Sequence, residues 1–287
     1  MRGDIDNIDP DTVADFGREW RRFDQSIVEP EEHARAFGEY FAIFPWERLP
    51  RNPVGFDAGC GSGRWAALVA NRVAQLHCID ASPAALSVAR RNLGDRQNIV
   101  FHEAPISAMP IADASMDFGY SLGVLHHLPN PLAGLAACVR KLKPGAPMLV
   151  YIYYAFDNKP AWFRMLWQAS DYVRRAVSKM PFPLKAAVAD VSAVLIYWPL
   201  ARTAQLVQRL GFDISKWPLS AYGWRSYYTM RTDALDRFGT RLEHRMTRAE
   251  IQGMMKASGL RDVRFSESMP YWCAVGIRAD APQAVKT

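Results

Sequence analysis

The chain has 287 residues, 49% hydrophobic and 22% charged, with a formal net charge of +6. That balance excludes an intrinsically disordered chain, and the length allows a buried core without disulfide staples. A basic total leaves nucleic acid, a membrane surface or an acidic ligand open, so where the charge sits decides more than its sum.

The chain starts Met1-Arg2-Gly3-Asp4-Ile5-Asp6, acidic and without an apolar stretch. Neither a secretory signal nor a transit peptide is expected, and residues 1–12 read as disordered. Cys60, Cys78, Cys138 and Cys273 form no C-x-x-C pair, so neither a disulfide framework nor a metal site is expected. A reduced, cytoplasmic setting is the default. An aromatic and acidic segment, Val13 to Phe44, comes next.

From Pro53, strand and helix patterns alternate. Pro53–Ala58 is a short apolar run ending in a glycine-rich turn, and Ser62–Asn71 reads as a helix. Val73–Ile79 is a second strand. Ser82 and Pro83 open a helix that Gly94 closes. Asn98–Phe101 and Asp117–Leu122 are further strands. Asn130 and Pro131 open a helix running to Lys143-Pro144-Gly145, and Pro147–Tyr154 is a long fifth strand. Strands separated by helices argue for βαβ units and a parallel sheet.

The pattern breaks at Ala155. From there to Arg245 only helices are expected: one through Trp162, Leu166, Ser170, Val173 and Val177, another over Leu184–Leu210 interrupted at Trp198-Pro199, and a short one at Thr232–Phe238. The most apolar run, Ala186–Ala201, is shorter than the roughly 20 residues of a spanning helix and contains Asp190 and Pro199. At Thr247 alternation resumes with a capping box to Glu250 and a helix ended by Gly259. Asp262–Ser268 and Tyr271–Arg278 then read as an antiparallel pair across a tight Met269-Pro270 connection.

The turn Asp57-Ala58-Gly59-Cys60-Gly61-Ser62-Gly63-Arg64 follows a strand and precedes a helix. A dinucleotide turn needs a third glycine where Arg64 stands, so that template fails. The pattern acid-x-G-x-G-x-G fits throughout. It is similar to the turn of the class I S-adenosylmethionine-dependent methyltransferases. Asp80 ends the next strand, where a carboxylate accepts ribose hydroxyls; capping the helix at Pro83 is the other role open to it, and the order glycine turn, helix, strand, acid favours ribose. Ala104-Pro105-Ile106 and Met116-Asp117-Phe118 resemble a stretch of the quinone-biosynthesis methyltransferases, with Pro105 replacing the usual acid. Glu103, or the backbone N–H of Ile106 alone, is then left to read adenine. Leu125-His126-His127-Leu128 resembles that family's Leu-His-His-Leu. The resemblance spans Pro53 to Tyr154 and, more weakly, Thr247 to Arg278.

The resemblance implies an α/β fold. It is a Rossmann-like seven-stranded mixed sheet, its last strand antiparallel, with a large helical insertion after strand five. It implies S-adenosylmethionine as cofactor, held by Asp57, Gly59, Gly61, Ser62, Gly63, Asp80, Ala81, Ile106, Ser121 and Leu122. It also implies methyl transfer by in-line displacement, in which positioning supplies most of the acceleration. Either of His126 and His127 is a candidate base or merely structural. The chain divides into a helical cap (1–45), a cofactor core (46–154), the insertion (155–245) and the last helix with its edge hairpin (246–287). Phe16, Trp20, Tyr153, Tyr222 and Trp224 are expected to face a small apolar or aromatic acceptor, quinone-like or lipid-like. Two other readings stand: a fold that uses the cofactor for different chemistry, and a non-catalytic cofactor-binding scaffold.

Charge locates the remaining questions. Residues 1–40 carry −6, 41–154 carry +3, 155–245 carry +7 and 246–287 carry +2. The insertion also holds five of the nine tryptophans. A basic, aromatic helical segment suits an acceptor lid, a peripheral contact with an anionic membrane's inner face, or a homodimer interface. The basic residues are scattered, which disfavours nucleic acid. The acidic N-terminal segment is complementary to the insertion.

Overall fold

The computed structural model describes residues 7–214 and 217–280. Residues 1–6 of the segment read as disordered lie outside that description, whereas Pro10–Arg22 is a helix, α1. Asp9 caps it by accepting from the Thr12 N–H at 2.7 Å, and Pro10 has the φ a first helical turn needs. α2 (Pro30–Tyr40) leads to β1 (Val54–Ala58), α3 (Ala66–Val69), β2 (Gln75–Asp80), α4 (Pro83–Leu93), β3 (Ile99–Glu103), β4 (Phe118–Leu122), α5 (Pro131–Lys141) and β5 (Pro147–Tyr151). The insertion contributes α6 (Ala161–Val177), α7 (Phe182–Ser192), α8 (Trp198–Arg209) and α9 (Tyr227–Gly239). α10 (Arg248–Ala257), β6 (Leu260–Phe265) and β7 (Cys273–Arg278) finish the fold.

The seven strands form one sheet in the order β3-β2-β1-β4-β5-β7-β6. β1 to β5 pair in parallel, and β7 runs antiparallel to both β5 and β6. The order reverses between β1 and β4, both of which continue into loops at their C-terminal ends. Ligands of open α/β sheets bind at such a switch point. One apolar layer centres on Phe56, Met148 and Leu135, the other on Tyr120, Leu76 and Phe118.

Caps set most boundaries. The side chains of Ser82 and Asn130 accept from the N–H groups of Ala85 and Ala133, and Thr247 with Glu250 makes a reciprocal capping box. Beside β5, which stops at Tyr151 and not Tyr154, and α9, which starts at Tyr227 and not Thr232, three boundaries depart from the sequence reading with a clear cause. The helix after the glycine turn begins only at Ala66, because Gly61 and Gly63 take positive φ and use residues 61–65 for turns. The β6–β7 connection runs from 266 to 272, since pairing stops at Phe265 and resumes at Cys273. Pro199 does not break its helix: a π-helical turn, Ala193–Tyr197, precedes it and joins α7 to α8 in one rod, Phe182–Arg209. Proline's ring clashes with the carbonyl four residues back, and the wider turn relieves that clash. The rod is therefore longer than the apolar run in the sequence, and by length and composition it could cross a membrane.

The acidic N-terminal helix does meet the insertion. Lys185 of α7, only 2% exposed, donates to Asp15 of α1 at 2.5 Å and to the Gly239 carbonyl at 3.0 Å. Arg241 pairs with Asp11 at 2.5 Å, and Arg22 with Asp190 at 2.7 Å.

Candidate functional site

One cavity of about 640 Å³ begins at the glycine turn, passes under α1 and ends among the insertion helices. Its size is that of a small-molecule site. At the sheet end it is lined by Gly59, Gly61, Asp80, Ala81, Ile106 and Leu122.

Gly61 has φ +54°, and a Cβ there would lie 2.9 Å from the Trp20 ring. The turn therefore presents bare backbone to the cavity, as close ligand approach requires. Asp80 braces it: one carboxylate oxygen accepts from the Gly61 N–H at 2.9 Å, the other from the Ser82 N–H at 2.8 Å. Capping of α4 falls to Ser82, so Asp80 is free of that duty. Burial raises the Asp80 carboxyl above its usual range, against the pull of those two donors. Gly63 points elsewhere; a Cβ there would meet Leu93 at 2.5 Å, so this glycine lets α4 pack closely.

Four more predicted residues lie behind the cavity wall. Asp57 is 1% exposed, and burial pushes its carboxyl up to about 8, against the pull of the Tyr120 hydroxyl. Ser62 is buried, and its carbonyl accepts from Asn92. The Ser121 hydroxyl donates to the Ala58 carbonyl at 2.8 Å, tying the ends of β4 and β1 together. His126 is fully buried, its ring 3.9 Å from that of Tyr153, and burial holds it well below the usual histidine range. Glu103 is exposed and does not line the cavity, whereas Ile106 does.

His127 does line it. Its Nδ1 lies 2.7 Å from the Leu242 carbonyl, which can only accept, so Nδ1 carries the proton. Nε2 lies 3.8 Å from the Asp236 carboxylate. That carboxylate, on α9, is 21% exposed against 4% for His127, so it stands in front of the imidazole and faces the cavity. The Tyr153 hydroxyl donates to its other oxygen. Burial raises the Asp236 carboxyl, with His127 and the Tyr153 hydroxyl pulling it back and Asp233 pushing it up. Glu19 of α1, 5% exposed, also lines the cavity, and burial followed by Asp236 and Asp233 holds it well above the carboxylate range.

Phe16, Trp20, Tyr153, Tyr222 and Trp224 all reach the cavity. Phe23 does not; it packs against Tyr228 in the insertion's own core. The sequence reading missed Asp236, Asp233 and Glu19. The only signal was that Asp233 and Asp236, three apart, share a helix face; nothing local shows that this face meets the end of β4. Arg225 and Arg245 sit at the same polar end, Arg245 with its guanidinium 5.1 Å from the Tyr153 ring centroid.

Residues 56–150 match the model of the methyltransferase domain family. The ubiquinone biosynthesis O-methyltransferase of Hahella chejuensis is 30% identical over 125 residues, 43% of this chain and 51% of that protein. Its counterpart in Xanthomonas campestris pv. campestris is 28% identical over the same shares. The chain thus spans about half the length of the curated relatives it matches. Among solved structures, an S-adenosylmethionine-dependent methyltransferase from Thermotoga maritima shares the fold with a TM-score of 0.52 at 11% identity, covering 94% of this chain and 100% of that one. The S-adenosylmethionine-dependent methyltransferase SibL does so with a TM-score of 0.51 at 15% identity, covering 86% and 55%. Residues 56–150 thus carry a methyltransferase domain, and the glycine turn and sheet order around them are those of the class I S-adenosylmethionine-dependent methyltransferase fold.

Proposed function

We propose that the protein transfers a methyl group from S-adenosylmethionine to a small acceptor held between the glycine turn and the insertion, and that the acceptor sheds a proton to Asp236. The observation that carries this reading is the single cavity that joins the Gly61–Asp80 end to the Asp236–Tyr153 end. The cofactor, when bound, supplies an electrophilic methyl group on a cationic sulfur.

The residues present fit that cofactor. The bare backbone of Gly59 and Gly61 admits its amino-acid portion, and Asp80 has lone pairs left for a ribose diol after accepting two N–H bonds. Phe16 and Trp20, carried by α1 across the cavity, exclude water from the reacting atoms. Asp236 takes the acceptor's proton, while Tyr153 and His127 fix the rotamer of its carboxylate from behind. A carboxyl raised toward working pH is better matched to that task than an ordinary one. His127 is then a positioning residue, and His126 supports it.

The acceptor has an apolar or aromatic body with a proton-bearing polar head, because tryptophan and tyrosine rings share the wall with carboxylates and arginines. The curated relatives act in ubiquinone biosynthesis as O-methyltransferases, which favours a hydroxyl head.

The test is incubation with S-adenosylmethionine and a panel of apolar-tailed phenols and amines. S-adenosylhomocysteine and methylated product are expected from the wild type and not from Asp236→Asn. Cofactor binding without turnover across the panel would support a scaffold role. Cofactor consumption without S-adenosylhomocysteine would support different chemistry.

A further inference from the structure

The helices of the insertion expose what helices usually bury. On α6, Trp162, Met165, Leu166, Tyr172 and Val173 are between 51% and 75% exposed. The inward side of the same helix carries Asp171 and Arg174, paired at 2.6 Å, and Arg174 also donates to the Thr240 carbonyl. On the α7–α8 rod, Leu184, Val191, Val194, Leu195 and Ile196 are between 47% and 68% exposed, while Lys185 is buried. A helix on a water-facing surface has the opposite arrangement. Contiguous apolar surface of this extent marks a contact with something other than water.

Charge identifies the contact. The exposed charged residues of α6 through α8 are Arg164, Arg175, Lys179 and Arg209. The two carboxylates of these helices are held by arginines: Asp171 by Arg174 and Arg175, and Asp190 by Arg22 and Arg231. The face is therefore apolar and cationic together. A second copy of this chain would oppose like charges across the contact. An anionic lipid surface complements both properties.

We infer that the outer face of α6 and of the α7–α8 rod lies in the interface of an anionic bilayer, and that the cavity opens onto that contact. Leu166 and Ile196, about half exposed, also line the cavity, so its mouth lies between α6 and the rod within the apolar face. The rod lies on the bilayer and does not cross it. One third of its apolar stretch is buried, and Lys185 anchors it to Asp15 of α1 and to the α9 carbonyl of Gly239. An acceptor with a lipid-like tail could then pass from bilayer to cavity without crossing water. Only this last step rests on the methyl-transfer reading.

The experiment is flotation of the full chain with vesicles of phosphatidylglycerol and phosphatidylcholine in equal parts, and with phosphatidylcholine alone. Binding to the anionic vesicles is expected, weakened by high salt. The double variant Met165→Glu/Leu195→Glu should lower partitioning at least tenfold while S-adenosylmethionine binding stays unchanged, which shows that the fold is intact. The pair Lys179→Glu/Arg209→Glu, confined to exposed charges, should abolish the preference for anionic lipid. Absence of wild-type binding, or binding that the Glu variants leave intact, would overturn the inference. So would a stable dimer in solution that the same variants dissociate, which would assign the face to a second copy. No acceptor takes part in these assays, so their failure would leave the methyl-transfer reading standing.

Discussion

In α4 the side chains turned inward are Leu86, Val88 and Ala89, and those turned outward include Arg90 and Arg91. In α6 the inward ones are Asp171, Arg174 and Val177, and the outward ones include Met165, Leu166 and Val173. Hydrophobic burial holds the first helix against the sheet. The second is held to the protein by Val177 in the insertion's core and by hydrogen bonds, Arg174 to the Thr240 carbonyl and Arg237 to Ser170, with its apolar stripe left exposed. The cofactor half thus turns its apolar side chains inward, while the insertion leaves a large share of its own exposed. Functional groups divide the same way: backbone and one carboxylate at the sheet, a crowded set of buried acids and arginines under the insertion.

The sharpest way to break this division is to remove the insertion's forward carboxylate. Asp236→Asn should lower kcat by roughly 10² to 10⁴, the range for a lost proton acceptor, with S-adenosylmethionine affinity unchanged. Wild-type kcat should rise with pH as the raised Asp236 carboxyl ionises, and that limb should vanish in the variant. A variant with wild-type turnover and the same pH limb would return the role to His127.

Next in size is the seam between the halves. Asp15→Ala leaves the Lys185 ammonium buried with the Gly239 carbonyl as its remaining hydrogen-bond acceptor. Breaking a buried pair from one side costs about 3–5 kcal/mol, whereas replacing both partners with apolar groups is often neutral. Urea unfolding of Asp15→Ala, and of Asp15→Leu/Lys185→Met, should show a large loss and then its recovery. Equal losses would mean that the pair itself, not the orphaned charge, carries the stability.

How much of this was legible follows the same boundary. The succession of strands and helices and the caps in the cofactor half depend on neighbours within a few residues, such as Ser82 before Pro83 or Thr247 before Glu250, and are legible in the sequence. The acceptor end did not yield to it. Asp236 meets Tyr153 and His127, more than eighty residues earlier in the chain, and no periodicity encodes that meeting. The apolar positions of α6 were read at helical spacing, but spacing does not say which side faces water, and here the usual assumption is reversed. Gly63 fits the cofactor pattern yet packs on Leu93, because one short turn must both admit a ligand and seat α4.

A smaller effect probes the sheet end. Asp80→Ala should weaken S-adenosylmethionine binding at least tenfold by calorimetry, about 1.4 kcal/mol. Unchanged affinity would leave Asp80 as a brace for Gly61 alone.

The last prediction concerns Asp57, and its sign runs opposite to that of a salt-bridged carboxylate. Burial pushes its carboxyl up to about 8, against about 3.9 in an unfolded chain. Between those values the folded state holds the proton that the unfolded state has released. Stability should therefore fall as pH rises through that window, with a slope of at most about 1.4 kcal/mol per pH unit. Asp57→Asn keeps the shape and removes the titration, so chemical unfolding across pH 5 to 8 should show a flatter profile. If the slope survives in Asp57→Asn and disappears in Glu19→Gln, the pH sensitivity belongs to the crowded acids between α1 and the insertion, which burial also raises. The two halves would then differ in electrostatic strain as they do in packing, with the strain stored on the side that meets the acceptor.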